Sequence, residues 1–162
     1  MHIAYLGLGT NLGLREINLK QAIQALEQHA GRLLKCSSFM ETAPWGFESS
    51  NIFLNGAVIL ETKLSPFDLL SVTCRIETAL GRTHKSHDNQ YVDRTMDIDI
   101  LFYDQLILET PELIIPHPLI QNRLFVLNPL EEIAPDFVHP ILHKSIHQML
   151  LNLRQTTNAL SQ

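Results

Sequence analysis

The sequence predicts an α+β fold with a ferredoxin-like split βαβ core, and two observations carry that reading. The apolar positions change period in the order strand, helix, strand, strand, helix, strand, and each of the two helical stretches carries its own stop, a glycine at Gly31 and at Gly81. Such an order makes an antiparallel sheet with helices packed on one face, and the rest of the chain supplies C-terminal helical and loop additions. The 162 residues suit one domain, 1–162, large enough for a real core.

Residues 2–8 (HIAYLGL) are a short apolar run and predict a buried strand, followed by a turn rich in glycine and asparagine over 7–13. Leu19, Ala22, Ile23, Leu26 and Ala30 recur at intervals of three and four and predict a helix over 14–30. Residues 32–41 read as a strand, 42–51 as a polar, turn-forming segment, and 52–62 (IFLNGAVILET) as a further strand. Ser65, Pro66 and Asp68 are a helix start: an N-cap, a proline in the first turn and an acid at the positive end of the dipole. Leu69, Val72, Ile76, Ala79 and Leu80 give that helix its apolar face. Residues 82–94 are polar and aperiodic, a long loop of the kind that often covers a site. After the strand that follows, Asp104 and Gln105 turn the chain into a second strand at 106–110, and Pro111, Pro116 and Pro118 break the path past His117. A short helix over 121–127 and a final helix over 145–154 complete the chain.

Composition narrows the function. An apolar content of 45% and a charged content of 18% are those of an ordinary globular protein. A net charge of −5 gives no electrostatic footprint for nucleic acid. Cys36 and Cys74 are expected to be free thiols in a reducing compartment. With no membrane-length apolar run and no leader pattern, a cytoplasmic protein is expected, acting on small molecules as a monomer.

The chemistry concentrates at 97–103 (DIDILFY). Asp97 and Asp99 alternate with Ile98, Ile100 and Phe102, so the two carboxylates share one face of a strand, with Cα atoms roughly 6.5 Å apart. Carboxylates so placed can grip one or two hard cations, which sit about 3.5–4 Å apart in phosphoryl-transfer sites. By strict alternation Leu101 and Tyr103 follow on the same face, so it is not simply a wet face.

Ordered motifs surround this strand: Thr42-Ala43-Pro44-Trp45-Gly46, Phe53-Leu54-Asn55, Arg75-Ile76-Glu77, Gly81-Arg82, Arg94-Thr95-Met96-Asp97-Ile98-Asp99, Pro116-His117-Pro118, and 122–130 (NRLFVLNPL). With 8–13 (LGTNLG) they make nearly the whole chain resemble the 6-hydroxymethyl-7,8-dihydropterin pyrophosphokinases of folate biosynthesis. The resemblance implies transfer of the β,γ-diphosphate of ATP to the pterin hydroxymethyl group with two Mg²⁺ ions. It implies Asp97 and Asp99 as metal ligands, and Arg82 and Arg94 as catalytic clamps on phosphate. Thr42, Trp45, Phe53, Asn55 and Phe125 fall at pterin-binding positions, the two phenylalanines flanking the ring. Glu77, Arg82, His84, Tyr91, Arg94, Ile100, His117 and Arg123 fall around ATP.

Residue chemistry fits these roles. Phosphoryl transfer needs positioning and charge stabilisation more than covalent help, and arginine clamps phosphate bidentately. An amide such as Asn55, which both donates and accepts, suits the edge of a pterin. Without the resemblance, Phe53 and Phe125 read as ordinary core and Glu77 as solvated surface. His84 stands where the family has a second arginine, Tyr91-Val92-Asp93-Arg94 replaces Trp-Gly-Pro-Arg, and Glu112 replaces a basic residue sometimes found there. Other readings are weaker. Gly7, Gly9 and Gly13 miss the dinucleotide spacing by one place, and no phosphate P-loop occurs. His139, His143 and His147 read as a polar surface stripe. A silent pterin or nucleotide sensor of the same fold, and a Mg²⁺-dependent nucleotide hydrolase, are the competing functions.

Overall fold

The computed structural model describes residues 1–42, 52–81 and 96–160. In chain order these form β1 (His2–Thr10), α1 (Arg15–His29), β2 (Arg32–Cys36), β3 (Met40–Thr42), β4 (Phe53–Thr62), α2 (Pro66–Ala79) and β5 (Asp97–Tyr103). They continue with β6 (Leu108–Glu109), β7 (Ile114–Ile115), a 3-10 turn (Ile120–Asn122), α3 (Leu124–Ile133) and α4 (Ile146–Leu160). The main sheet has the order β2-β4-β1-β5, with β3 continuing the antiparallel pairing along β4. This is the split βαβ arrangement: β1 and β2 flank β4, and the acidic strand β5 lies beside the N-terminal strand.

Two cores form, one on each face of the sheet. Ala4, Leu6 and Leu8 of β1, Val58 and Leu60 of β4, and Ile98 and Ile100 of β5 pack against α1 and α2 through Leu19, Ala22, Leu26, Leu69, Val72 and Ile76. Ala57, Ile59, Leu101 and Phe102 face the other way, against Val126, Leu127, Leu130 and Ile133 of α3 and Ile146, Met149 and Leu150 of α4. The two helices of the split βαβ core, α1 and α2, share one face as expected. The C-terminal additions are the cover of the second face, because α3 is apolar enough to bury five of its ten residues.

A bulge explains how one short strand serves both cores. Tyr5 pairs with Phe102, but Leu6 pairs with Ile100, so Leu101 is inserted without a partner on β1. The alternation shifts there. Leu101 and Phe102 both join the second core, while Tyr103 turns to the first and donates its hydroxyl to the Leu64 carbonyl. Leu101 lies on the face of Asp97 and Asp99 as expected; Tyr103 does not.

Other boundaries differ for local reasons. Gly7 and Gly9 stay in β1, since both are paired on each side, and the turn begins only at Asn11, with Gly13 at φ +68°. The predicted strand over 32–41 breaks at Ser37, whose hydroxyl accepts from Ala57 N–H at 2.8 Å and whose N–H donates to the Ala57 carbonyl. Helix α3 runs past the predicted 127 and through Pro129, which is buried. Helix α4 starts with reciprocal bonds between Ser145 and Gln148, a capping box. Ser65 caps α2 as read, accepting from Asp68 N–H at 3.2 Å. Cys36 and Cys74 are free and exposed.

Gly31 closes α1 where the chain passes the end of β4. A Cβ there would lie 2.2 Å from the Glu61 carbonyl oxygen, a backbone atom. Gly31→Ala is expected to destabilise the fold by about 1–3 kcal/mol in urea titration, with an unchanged slope.

Candidate active site

The candidate site is built on the second face, at the end of the sheet that α3 and α4 leave partly open. Gly9 pairs with Asp97 on one side and Asn55 on the other; Gly7 pairs with Asp99 and with Ala57. Directly opposed residues project from the same face. The row Asp97–Gly9–Asn55 therefore carries a carboxylate at one end, an amide at the other, and no side chain between. Two strand spacings make that row about 10 Å wide. A Cβ on Gly9 would stand 3.0 Å from Asn55 Oδ1 and 3.7 Å from the Phe53 ring. Neither glycine was read as part of the site from sequence. Their spacing of two within a strand is the signal that could have found them, since it clears one face.

Asn55 is buried, and its Nδ2 donates to Thr42 Oγ1 at 2.6 Å, so β3 fixes the orientation of the amide. Phe53 precedes it by two residues on the same face and is half-buried. Phe125 is half-buried as well, in the first turn of α3 beside the second core. The Arg123 guanidinium carbon lies 5.5 Å from the Phe125 ring centroid. Sequence alone reads the two phenylalanines as core; both are only half-buried, and Phe125 packs against the second core.

Asp97 and Asp99 are half-buried, and the edge of their strand is braced by Glu77. Oε2 of this carboxylate accepts the Ile98 N–H at 2.9 Å. That N–H lies between the two aspartates on the sheet's outer edge. Glu77 is 8% exposed, so its reading as solvated surface is corrected. The side chain of Ile100 is buried in the first core, on the opposite face, which leaves its main chain to serve a ligand.

His117 is tied to β5 through its N–H, which donates to the Leu101 carbonyl at 3.0 Å. Burial lowers its pKa to about 4, the Arg123 charge pushes the same way, and Asp97 partly opposes them. The imidazole is thus neutral near pH 7, and its Nδ1 accepts the Leu119 N–H at 3.3 Å. That assignment leaves the proton on Nε2, a donor. Arg123 is buried, and its carbonyl starts α3 by accepting from Val126 and Leu127. Arg123 and Asp97 both lie close enough to His117 to act on its charge.

Arg82, His84, Tyr91, Arg94 and Trp45 lie outside the described residues. Among the described residues no group of three or more His, Cys, Asp or Glu side chains converges on one point. Two carboxylates on an open floor suit Mg²⁺, which takes few protein oxygens and fills its shell with phosphates and water. The histidine stripe is only partly right. His143 and His147 are exposed, but His139 is buried, edge-on to Phe102 at 5.5 Å, with Nδ1 accepting from Ile141 and Leu142.

Comparisons with known proteins point to one family. The family model described as 7,8-dihydro-6-hydroxymethylpterin-pyrophosphokinase matches residues 5–135. A 2-amino-4-hydroxy-6-hydroxymethyldihydropteridine pyrophosphokinase from Porphyromonas gingivalis is 48% identical over 141 residues, covering 86% of this chain and 95% of the relative. Its counterpart from Bacillus subtilis is 48% identical over 134 residues, covering 82% and 78%. The solved Plasmodium falciparum HPPK-DHPS superposes with a TM-score of 0.80 at 17% identity. The match takes in 98% of this chain and 45% of that longer protein, and at that identity it speaks for the fold.

Two outcomes test the bracing groups. Glu77→Ala leaves the buried Ile98 N–H without its acceptor and should cost about 1–3 kcal/mol, whereas Glu77→Gln keeps an acceptor and should cost less, both by chemical denaturation. His117 binds its proton later in the folded chain than in the unfolded one, so folded-state stability is full above pH 6.5 and falls as pH drops toward about 4. His117→Asn should flatten that part of the stability–pH curve.

Proposed function

The chain belongs to the 7,8-dihydro-6-hydroxymethylpterin-pyrophosphokinase family, and on that footing we propose the following account of its reaction and site. It is an ATP-dependent diphosphotransferase of folate biosynthesis, moving the diphosphate of ATP to the hydroxymethyl group of 6-hydroxymethyl-7,8-dihydropterin and releasing AMP. The observation that carries the site assignment is the cleared row from Asp97 across Gly9 to Asn55. Its length is comparable to a bicyclic pterin with its hydroxymethyl arm. An acceptor ring held at the Asn55 end therefore delivers its hydroxyl to the carboxylates.

On the acceptor side, Asn55 reads the polar edge of the ring while Thr42 holds the amide, and Phe53 and Phe125 supply the apolar faces. Trp45 is assigned to the same side by its motif. On the donor side, His117 offers a neutral Nε2–H to a nucleotide oxygen, and Arg123 adds positive charge close to it. Arg82 and Arg94 are assigned to clamp the phosphates, with His84 and Tyr91 near them. Glu77 and the main chain of Ile100 complete the nucleotide side. Asp97 and Asp99 would hold two Mg²⁺ ions. What the ions supply there is charge neutralisation across the phosphates and a more acidic acceptor hydroxyl. No protein base is then required, and the side chains have only to position, neutralise and exclude water. The working picture is a cytoplasmic monomer that acts on two small molecules; among the described residues no helix is long and apolar enough to cross a membrane.

A nucleotide product assay decides the reaction. AMP that forms only when the pterin is present, in step with pterin diphosphate, is the expected result with ATP and Mg²⁺. ADP, or phosphate released without pterin, would make the protein a kinase or hydrolase instead. Binding of both ligands without turnover would make it a sensor. Asp97→Ala and Asp99→Ala should each lower kcat by at least about 10³-fold, or ~4 kcal/mol, with far-ultraviolet circular dichroism unchanged. Phe125→Ala should mainly raise the pterin KM. If it unfolds the protein, Phe125 is core and not a wall of the site.

A further inference from the structure

Arg15 is the first residue of α1, where the partial positive charge of the helix end disfavours a cation. The side chain is used for something else. Its Nη1 donates to the Ile52 carbonyl at 2.8 Å, just before β4, and its Nη2 donates to Glu41 Oε1 at 2.9 Å, in the middle of β3. One guanidinium thus joins two adjacent strands from a third element. A planar fork is suited to this, and a lysine ammonium cannot reproduce it.

The strand it holds is the shortest in the main sheet. β3 has three residues and pairs with β4 alone, Met40 opposite Asn55, Glu41 opposite Leu54 and Thr42 opposite Phe53. A slip of one residue would turn Thr42 to the other face and take Oγ1 from the Asn55 amide. We infer that Arg15 is a positioning residue for acceptor binding: by pinning β3 in register on β4, it keeps Thr42 on Asn55 and so presents the amide to the ring. This rests on the assignment of Asn55 to the pterin made above. Arg15 touches neither substrate in this account, and its effect should fall on one of them.

The test is steady-state kinetics with each substrate varied in turn, alongside calorimetric pterin binding and a thermal unfolding midpoint. The proteins are the wild type, Arg15→Ala, Arg15→Lys, Glu41→Ala and the double variant Arg15→Ala/Glu41→Ala. Arg15→Ala should raise the pterin KM and weaken pterin binding about tenfold while leaving the ATP KM within about twofold. Arg15→Lys should fall between. Glu41→Ala should do less than Arg15→Ala, because the Ile52 bond survives, and the double variant should be no worse than Arg15→Ala. An unchanged pterin KM and affinity in Arg15→Ala, or equal rises in both KM values, would overturn the inference. A lowered melting point without the split between substrates would reduce Arg15 to a structural tie and overturn it too. The transfer reaction is judged separately. A wild type that binds pterin but makes no AMP defeats that reading alone, and calorimetry on Arg15→Ala still decides the role of Arg15.

Discussion

Everything in this site depends on β1 being paired on both edges while carrying no side chain at two places on one face. Glycine weakens a strand, because it brings no packing and loses more backbone freedom on folding. Here the cost is offset on the opposite face, where Ala4, Leu6 and Leu8 are buried under α1 and α2. Those residues fix the register of β1 against β4 and β5, since a one-residue slip would turn them away from α1 and α2 to the other face. The alternation of the strand thus separates two tasks. On one face Gly7 makes room for the Leu101 side chain and Gly9 leaves the row between Asp97 and Asn55 clear, while the even positions hold the sheet together.

The remaining polar groups set the edges of that space. Glu77 occupies the free edge of β5, Thr42 orients Asn55, and the Leu119 N–H fixes the tautomer of His117. A further tie lies at the far end of α3. Glu132 accepts the Ser38 N–H at 3.0 Å and the Ser38 hydroxyl at 2.7 Å, so the helix bearing Phe125 is anchored to the segment between β2 and β3. Arg15 adds the opposite anchor, from α1 to β3 and β4. Acceptor-side residues are therefore held from two directions.

Much of this was legible in the chain. The helices over 66–79 and 15–29, the long strand at 53–62 and the acid pair on one face of β5 all follow from period and from caps such as Ser65. What sequence could not carry were properties that depend on a partner. Gly7 and Gly9 look like turn residues until both neighbouring strands are in place. Glu77 looks exposed until an unpaired strand edge lies beside it. Tyr103 looks like a neighbour of Asp99 until a bulge, set by pairing with β1, reverses it. The motif resemblance named the site residues without supplying these reasons, and it had nothing to say about Arg15, whose importance is a matter of three elements meeting.

The bulge at Leu101 also bears on how this strand can change over time. Upstream of it, β5 is read in one phase, with the acids on the face of Gly7 and Gly9; downstream it is read in the other, with Phe102 and Tyr103 swapped between cores. Substitutions can be absorbed one at a time by such a strand. Loss of a single residue at the bulge can be absorbed as well, because without Leu101 the alternation is unbroken, with Asp97, Asp99 and Phe102 on one face and Ile98, Ile100 and Tyr103 on the other. The bulge is thus a place where the strand can change its length, at the cost of the Leu101 side chain that fills the space over Gly7.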